Sequence, residues 1–317
     1  GLGMKTLGLK KRPPKLSQIQ SLAAIGQTKL MALYEKACAK HGFHSAQLLL
    51  TADDLRDHGR HLNVRNCLNT LLTQGVMPIV NENDTVSVDE LKFGDNDILA
   101  GMLAAMCGAE LAVLLTTVDG FHFVKENGEF GDRVSVIKSI TDEIRASACG
   151  TDNASLSVGG MKSKLRAAEI VAASGECLWL ADGREAGIIH KIFAGEDVGT
   201  IFLPKSKKMD ARRRWIGIFS KKRGRLTIDD GAVDALCRNG RSLLPSGITG
   251  VEGAFKRGDP VEITDRKGSV VAKGLSNYCS EDCQKIRGLQ SSEVARLLGA
   301  GADEAVVHRN NLFVLKK

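Results

Sequence analysis

Three polar clusters carry the residue types from which phosphate chemistry is built, and the first two follow short apolar runs that read as strands. Asn81-Glu82-Asn83-Asp84 follows Val76–Val80, with Gly94-Asp95-Asn96-Asp97 close behind. Thr116-Thr117-Val118-Asp119-Gly120 follows Leu111–Leu115, and Gly159-Gly160-Met161-Lys162-Ser163-Lys164 opens a helical pattern. Open α/β sheets place their ligands past the carboxyl ends of strands. Two glycines admit a phosphate to the backbone, and a helix N-terminus offers unpaired N–H groups carrying partial positive charge. Lys164 adds a point charge suited to a phosphoryl group in transfer. The spacing is not that of the G-x-x-x-x-G-K-[ST] loop, and a Gly-Gly turn before a solvated, Lys-rich helix explains the same residues. Asp84, Asp95, Asn96 and Asp97 can grip an amino group or organise a metal-bound nucleotide. They are also ordinary turn residues, with Asp95 suited to an N-cap. Thr116 and Thr117 offer hydroxyls, whereas Asp119-Gly120 reads as a turn.

The elements that must position these clusters alternate. Helical patterns run over Ser17–Cys38, Asn63–Gln74, Asp97–Cys107, Lys162–Ala173 and Ala186–Phe193. Strand patterns fall at Ala46–Leu50, Val76–Val80, Leu111–Leu115 and Cys177–Ala181. Such alternation predicts a largely parallel sheet with helices on both faces. After residue 225 the chain turns β-rich, with strands at Leu226–Asp229, Pro260–Asp265, Val270–Leu275 and Glu304–Val314. Asp265-Arg266-Lys267-Gly268 marks a hairpin turn, and Ser291–Leu298 a short helix. Domains are therefore expected at 1–204 and 226–317, joined by a connector at 205–225.

Composition excludes several classes. The 317 residues are 43% apolar and 26% charged, ordinary globular usage that rules out a disordered chain. A formal charge of +7 invites a nucleic-acid reading. Yet ten Lys/Arg against one Asp lie between Lys205 and Arg225, leaving 34 basic and 36 acidic residues elsewhere. The charge is local, and a solvated connector accounts for it. Eight scattered Cys without a C-x-x-C predict free thiols in a reducing cytoplasm, with neither a zinc site nor a disulfide framework. The apolar stretch Ile98–Leu115 breaks at Gly108 into a helix and a strand, so no membrane span is expected.

Together, and in this order, the clusters resemble the glutamate 5-kinases of the amino acid kinase family. The matching stretches are PIVNENDTV at 78–86, KFGDNDILA at 92–100, LLTTVDGF at 114–121 and VGGMKSKLRAA at 158–168, with GTIFLP at 199–204 and RRRWI at 212–216. The tail is similar to the family's C-terminal PUA domain. The resemblance implies an α/β protein: a three-layer α/β/α sandwich with a mostly parallel sheet, plus a small β-rich PUA-like domain. It implies ATP-dependent phosphorylation of the γ-carboxylate of L-glutamate, with Mg2+, as the first step of proline biosynthesis. By the same resemblance Asp84 and Asn96 match glutamate-binding positions, and Thr116 and Thr117 match the nucleotide-binding pair. The segment Val158, Gly159, Gly160, Met161, Lys162, Ser163 and Lys164 matches the nucleotide loop. Lys164 corresponds to the lysine that stabilises the transferring phosphoryl group, and Asp97 to the aspartate that organises the site. A homo-oligomer, inhibition by proline and a cytoplasmic location are implied as well.

The resemblance has departures. Thr117 stands where the family usually has Asp, and Val158 where it has Thr. The family's opening strand with a V-K-L-G lysine, and a second ending in S-G-A-I, do not precede Gly1-Leu2-Gly3-Met4. The chain is thus expected to be a fragment that is inactive, or nearly so, on its own. Two alternatives accompany the kinase: an RNA-binding PUA protein, and an enzyme of this fold acting on another carboxylate or phosphate acceptor.

Overall fold

The computed structural model describes residues 2–86, 96–125, 128–149, 160–204, 210–299 and 301–315. The chain divides into two compact units, Gly1–Lys208 and Met209–Lys317.

In the first unit, helices α1 (Leu2–Thr6) and α2 (Leu16–Ala39) lead into strand β1 (Ser45–Leu50). Helices α3 (Ala52–Arg56) and α4 (His58–Thr73) then precede β2 (Met77–Glu82). The helix expected from Asn63 opens five residues earlier, because the Asp57 side chain accepts from Arg60 N–H at 2.9 Å and caps it. Next come α5 (Asn96–Cys107), β3 (Leu111–Thr116), a hairpin of β4 (Phe121–Val124) and β5 (Phe130–Val134), and β6 (Val136–Ile137). The unit closes with α6 (Asp142–Cys149), α7 (Gly160–Ser174), β7 (Cys177–Asp182), α8 (Ile188–Ala194) and β8 (Thr200–Phe202).

Strands β1 and β2 pair in parallel, and a second sheet has the order β3-β7-β8-β6. Within it β3–β7 and β6–β8 are parallel, while β7–β8 is antiparallel. The period-two alternation of strands separates two faces. Leu114, Leu178, Leu180 and Phe202 pack with Ala104 of α5, Ile144 of α6 and Leu165, Ala168 and Val171 of α7. Leu111, Val113, Trp179 and Ala181 pack on Ile188 and Ile192 of α8. Helices therefore cover both faces, in three layers.

The second unit begins with α9 (Ala211–Arg214), a π-helical turn at Trp215–Phe219, β9 (Gly224–Ile228) and α10 (Asp230–Cys237). Strands β10 (Ile248–Gly253), β11 (Pro260–Thr264) and β12 (Val270–Leu275) follow. Helices α11 (Ser280–Ile286) and α12 (Ser291–Leu298) then precede β13 (Leu312–Val314). The five strands take the order β10-β9-β11-β12-β13, with only β9–β11 parallel. The expected hairpin joins β11 and β12, with Asp265 N–H donating to Ser269 O at 3.0 Å and Gly268 at φ 79°.

Two expectations are corrected. The run from Glu304 forms a strand only at Leu312–Val314, preceded by an isolated bridge from Val307 to Leu243. The solvated connector expected over 205–225 is not found at residues 210–225, while 205–209 lie outside the described residues. Asp210 caps α9 by accepting from Arg213 N–H at 3.0 Å, and Trp215, Ile216 and Phe219 are buried. These three apolar side chains recur at helical spacing, which overrides the surrounding charge. Part of that charge is also neutralised locally, since Lys222 pairs with Glu262 at 2.8 Å and Arg225 with Glu252 at 3.4 Å.

Candidate active site

Helices α5 and α7 pack against each other, and both end in the same way. Gly108 (φ 67°) and Gly175 (φ 89°) take the left-handed conformation that a side chain disfavours. Ala109 N–H then donates to Ala104 O at 3.0 Å, and Glu176 N–H to Val171 O at 3.2 Å. These are the six-to-one bonds of a Schellman cap. Each cap turns the chain back along its helix into a strand, and those strands, β3 and β7, pair in register from Leu111↔Cys177 to Thr116↔Asp182. The first turns of both helices and the carboxyl ends of both strands consequently share one edge of the sheet.

At that edge Lys164 Nζ donates to Asp97 Oδ2 at 2.8 Å. Ser163 Oγ lies 3.0 Å from the same oxygen and 3.0 Å from Gly160 O, so its single proton is shared between two acceptors. The pair is largely shielded, with 13% of the Lys164 and 18% of the Asp97 side chain exposed. Shielding strengthens the attraction but also removes hydration, so such a pair is a poor source of stability. Its use lies in a fixed ammonium beside two helix N-termini, an arrangement that favours an anion.

The structure joins Asp97, Ser163 and Lys164 directly. Thr116 ends β3, its carbonyl accepting from Gly183 N–H at 2.8 Å, and Thr117 is exposed just beyond. Asp84 sits half-buried in the turn after β2, and Asn96 is exposed at the start of α5. Neither side chain is hydrogen-bonded within the described residues. Met161 packs against the core of the first unit, and Lys162 is exposed. Val158 and Gly159, like Gly94 and Asp95, lie outside the described residues.

Sequence reasoning missed Asp182 and Arg184. Arg184 Nη2 donates to Asp182 Oδ2 at 2.6 Å and to Thr117 O at 2.7 Å. The guanidinium holds the Asp182 carboxyl down to about 2, so it stays ionised. The signal was available, because Asp182-Gly183-Arg184 follows a predicted strand just as the other clusters do.

Among the described residues no three His, Cys, Asp or Glu side chains converge as a metal cage, and no helix is long and apolar enough to cross a membrane. The donors at the edge are carboxylate and hydroxyl oxygens, which suit a hard cation arriving with phosphate. A cavity of about 580 Å³ belongs to the second unit and contains none of these residues; Arg223, Phe255, Lys256, Asp259 and Ser280 line it.

Residues 3–178 match the amino acid kinase family and residues 224–298 the PUA domain. Glutamate 5-kinase of Desulfotalea psychrophila is 45% identical over 304 residues, covering 96% of this chain and 81% of the relative. Glutamate 5-kinase of Syntrophus aciditrophicus is 42% identical over 316 residues, covering 99% and 82%. The chain belongs to the amino acid kinase family, on its glutamate 5-kinase branch, with a PUA domain later in the sequence.

Proposed function

We propose that the first unit transfers the terminal phosphoryl group of ATP to the γ-carboxylate of L-glutamate, forming L-glutamyl 5-phosphate, the first step of proline biosynthesis. The observation that carries this reading is the Lys164–Asp97 pair, held between the starts of two helices at the carboxyl edge of β3 and β7. A glutamate carboxylate is already a nucleophile at neutral pH. One of its oxygens bonds to the γ-phosphorus as the bond to the ADP oxygen breaks, and no proton need move. The protein must hold two anions in line and offset charge as it shifts between oxygens. Lys164 supplies that charge, and Asp97 with Ser163 fixes where it points. Asp84 and Asn96 are assigned to glutamate, whose amino group a carboxylate can grip. Thr116, Thr117 and the 158–164 segment are assigned to the nucleotide. Magnesium, held through Asp97 and the nucleotide phosphates, would offset phosphate charge when bound.

The test is to incubate the protein with MgATP, glutamate and hydroxylamine. Trapped γ-glutamyl hydroxamate is expected from a form that also carries the V-K-L-G and S-G-A-I strands, and none from that form, where a control kinase succeeds, would sink the reading. Competition by aspartate, N-acetylglutamate and nucleoside monophosphates separates glutamate from other acceptors. Proline added to the assay reads feedback inhibition, and sedimentation reads self-association. The second unit is assigned an accessory RNA contact, because Arg223 and Lys256 line one cavity and neither is ion-paired among the described residues. Filter binding that shows no salt-dependent RNA affinity would remove that assignment.

A further inference from the structure

Two neighbouring strands finish in register, and one side chain ties their ends together. Thr116 of β3 is the Cα partner of Asp182 of β7. Arg184, two residues on, folds back: its N–H donates to Asp182 Oδ1 at 2.9 Å, and its Nε lies 2.9 Å from Oδ1 and 3.2 Å from Oδ2. Nη2 completes the fork on Oδ2 and reaches across to the Thr117 carbonyl. Nη1 has no partner among the described residues. The Arg184 side chain is 68% exposed, and an ion pair in that setting contributes little to stability. Ordering a long side chain across two strand ends therefore needs another explanation, and the atom it reaches supplies one. Thr117 O belongs to the turn that presents the Thr116 and Thr117 hydroxyls at the ligand edge of the sheet.

We infer that Arg184 is a positioning residue of the nucleotide subsite: anchored on Asp182, it holds the Thr116–Thr117 turn in place and leaves Nη1 for an acceptor atom of a nucleoside triphosphate. The inference rests on the kinase reading above. A planar fork is required, since one group must engage a carboxylate at two points and a carbonyl at a third, and a lysine offers only a point charge.

The test titrates ATP into the 317-residue chain calorimetrically and follows its thermal melting, with hydroxamate formation read on a form that also carries the V-K-L-G and S-G-A-I strands. Arg184→Ala is expected to weaken ATP binding about tenfold, the scale of a hydrogen bond to a charged group, leaving the glutamate KM and the melting temperature unchanged. Arg184→Lys is expected to bind ATP as poorly as Arg184→Ala. Unchanged ATP affinity in Arg184→Ala overturns the inference. So does full recovery in Arg184→Lys, which would mean simple charge attraction, or a loss shared equally by ATP and glutamate with a lowered melting temperature. ATP affinity is read without glutamate, so absence of hydroxamate from the form carrying the opening strands counts against the glutamate reading alone. No ATP binding by the unaltered chain overturns both.

Discussion

Gly101 of α5 and Ala167 of α7 meet at their backbones: a methyl group on Gly101 would lie 3.0 Å from both Cα and O of Ala167. Asp97 lies four residues before the first and Lys164 three before the second, so this contact sets the reach of the ion pair. The two helices run in the same sense because each turns back into one of the parallel strands β3 and β7, and their N-termini stand side by side.

Gly101→Ala is therefore expected to harm activity more than stability. Removing a helix-interior glycine favours folding by about 0.5–1 kcal/mol. Overpacking at a fully buried neighbour costs about 1–3 kcal/mol and pushes the helices apart. Hydroxamate turnover should fall several-fold while melting shifts by a few degrees. Unchanged turnover would mean that the helix spacing does not govern the site.

Lys164→Met keeps the length of the side chain and removes its charge. Turnover is expected to fall about a hundredfold to a thousandfold, as for loss of one preorganised donor. Asp97→Asn should lower turnover too, because the amide no longer anchors the ammonium. Ser163→Ala is a milder version, with a drop of about tenfold, the lower end of the scale for one hydrogen bond to a charged group. Ser163→Thr, which retains the hydroxyl, should recover most of it. Steady-state kinetics with both substrates varied separates these effects from binding.

Glu35 of α2 ties the helix to the start of β1, accepting from Ser45 N–H at 2.9 Å and Ser45 Oγ at 2.7 Å. It also lies 3.0 Å from His44 Nδ1. The bonds from His44 and Ser45 hold its carboxyl down from an ordinary 4.5 to about 2. Because the folded value is the lower one, the stabilisation is complete above 4.5 and is lost as pH falls toward 2. Acid unfolding of Glu35→Gln should lack this component, so the two melting curves should converge at low pH. Curves that stay parallel from pH 6 to 2 would refute the coupling.

Thiol chemistry should divide by burial. Cys67 and Cys107 are exposed, whereas Cys38 and Cys283 are buried. Burial pushes the Cys283 thiol up to about 11, which keeps it protonated and unreactive. Iodoacetamide at pH 8 should label Cys67 and Cys107 at once and Cys38 and Cys283 only after unfolding, as peptide mapping by mass spectrometry would read.

The parts of this fold legible in sequence are those where local pattern and tertiary demand coincide. Helix α5, its Gly108 stop and strand β3 were readable because a continuous apolar run meets a left-handed glycine. The 270–275 strand and the 291–298 helix emerged with their expected bounds. The β4–β5 hairpin was not readable, since its strands alternate weakly and its first turn looked like an ordinary Asp-Gly loop. Strand β8 has only three residues, too few for a period to show. The Trp215–Phe219 turn was hidden by flanking arginines, although its apolar spacing was there to be seen. At the site, residue types and order pointed to phosphoryl transfer, and Lys164 and Asp97 do meet. The link from Arg184 to Thr117 spans 67 residues and exists only once β3 and β7 are paired.

Thr200 of β8 has a quieter role. Its fully buried hydroxyl accepts from Phe121 N–H at 2.8 Å and donates to Val134 O at 2.6 Å, so it takes the place of a backbone group between the two ends of the β4–β5 hairpin. A two-stranded hairpin in water frays by itself. This one is bolted to the sheet through that oxygen and through Arg133, which donates to the Gly199 and Asp197 carbonyls, and it opens only when β8 does. The Phe121 amide should then exchange its hydrogen at the slow pace of the sheet interior, making the hairpin and the sheet that carries Thr116 and Asp182 a single cooperative unit.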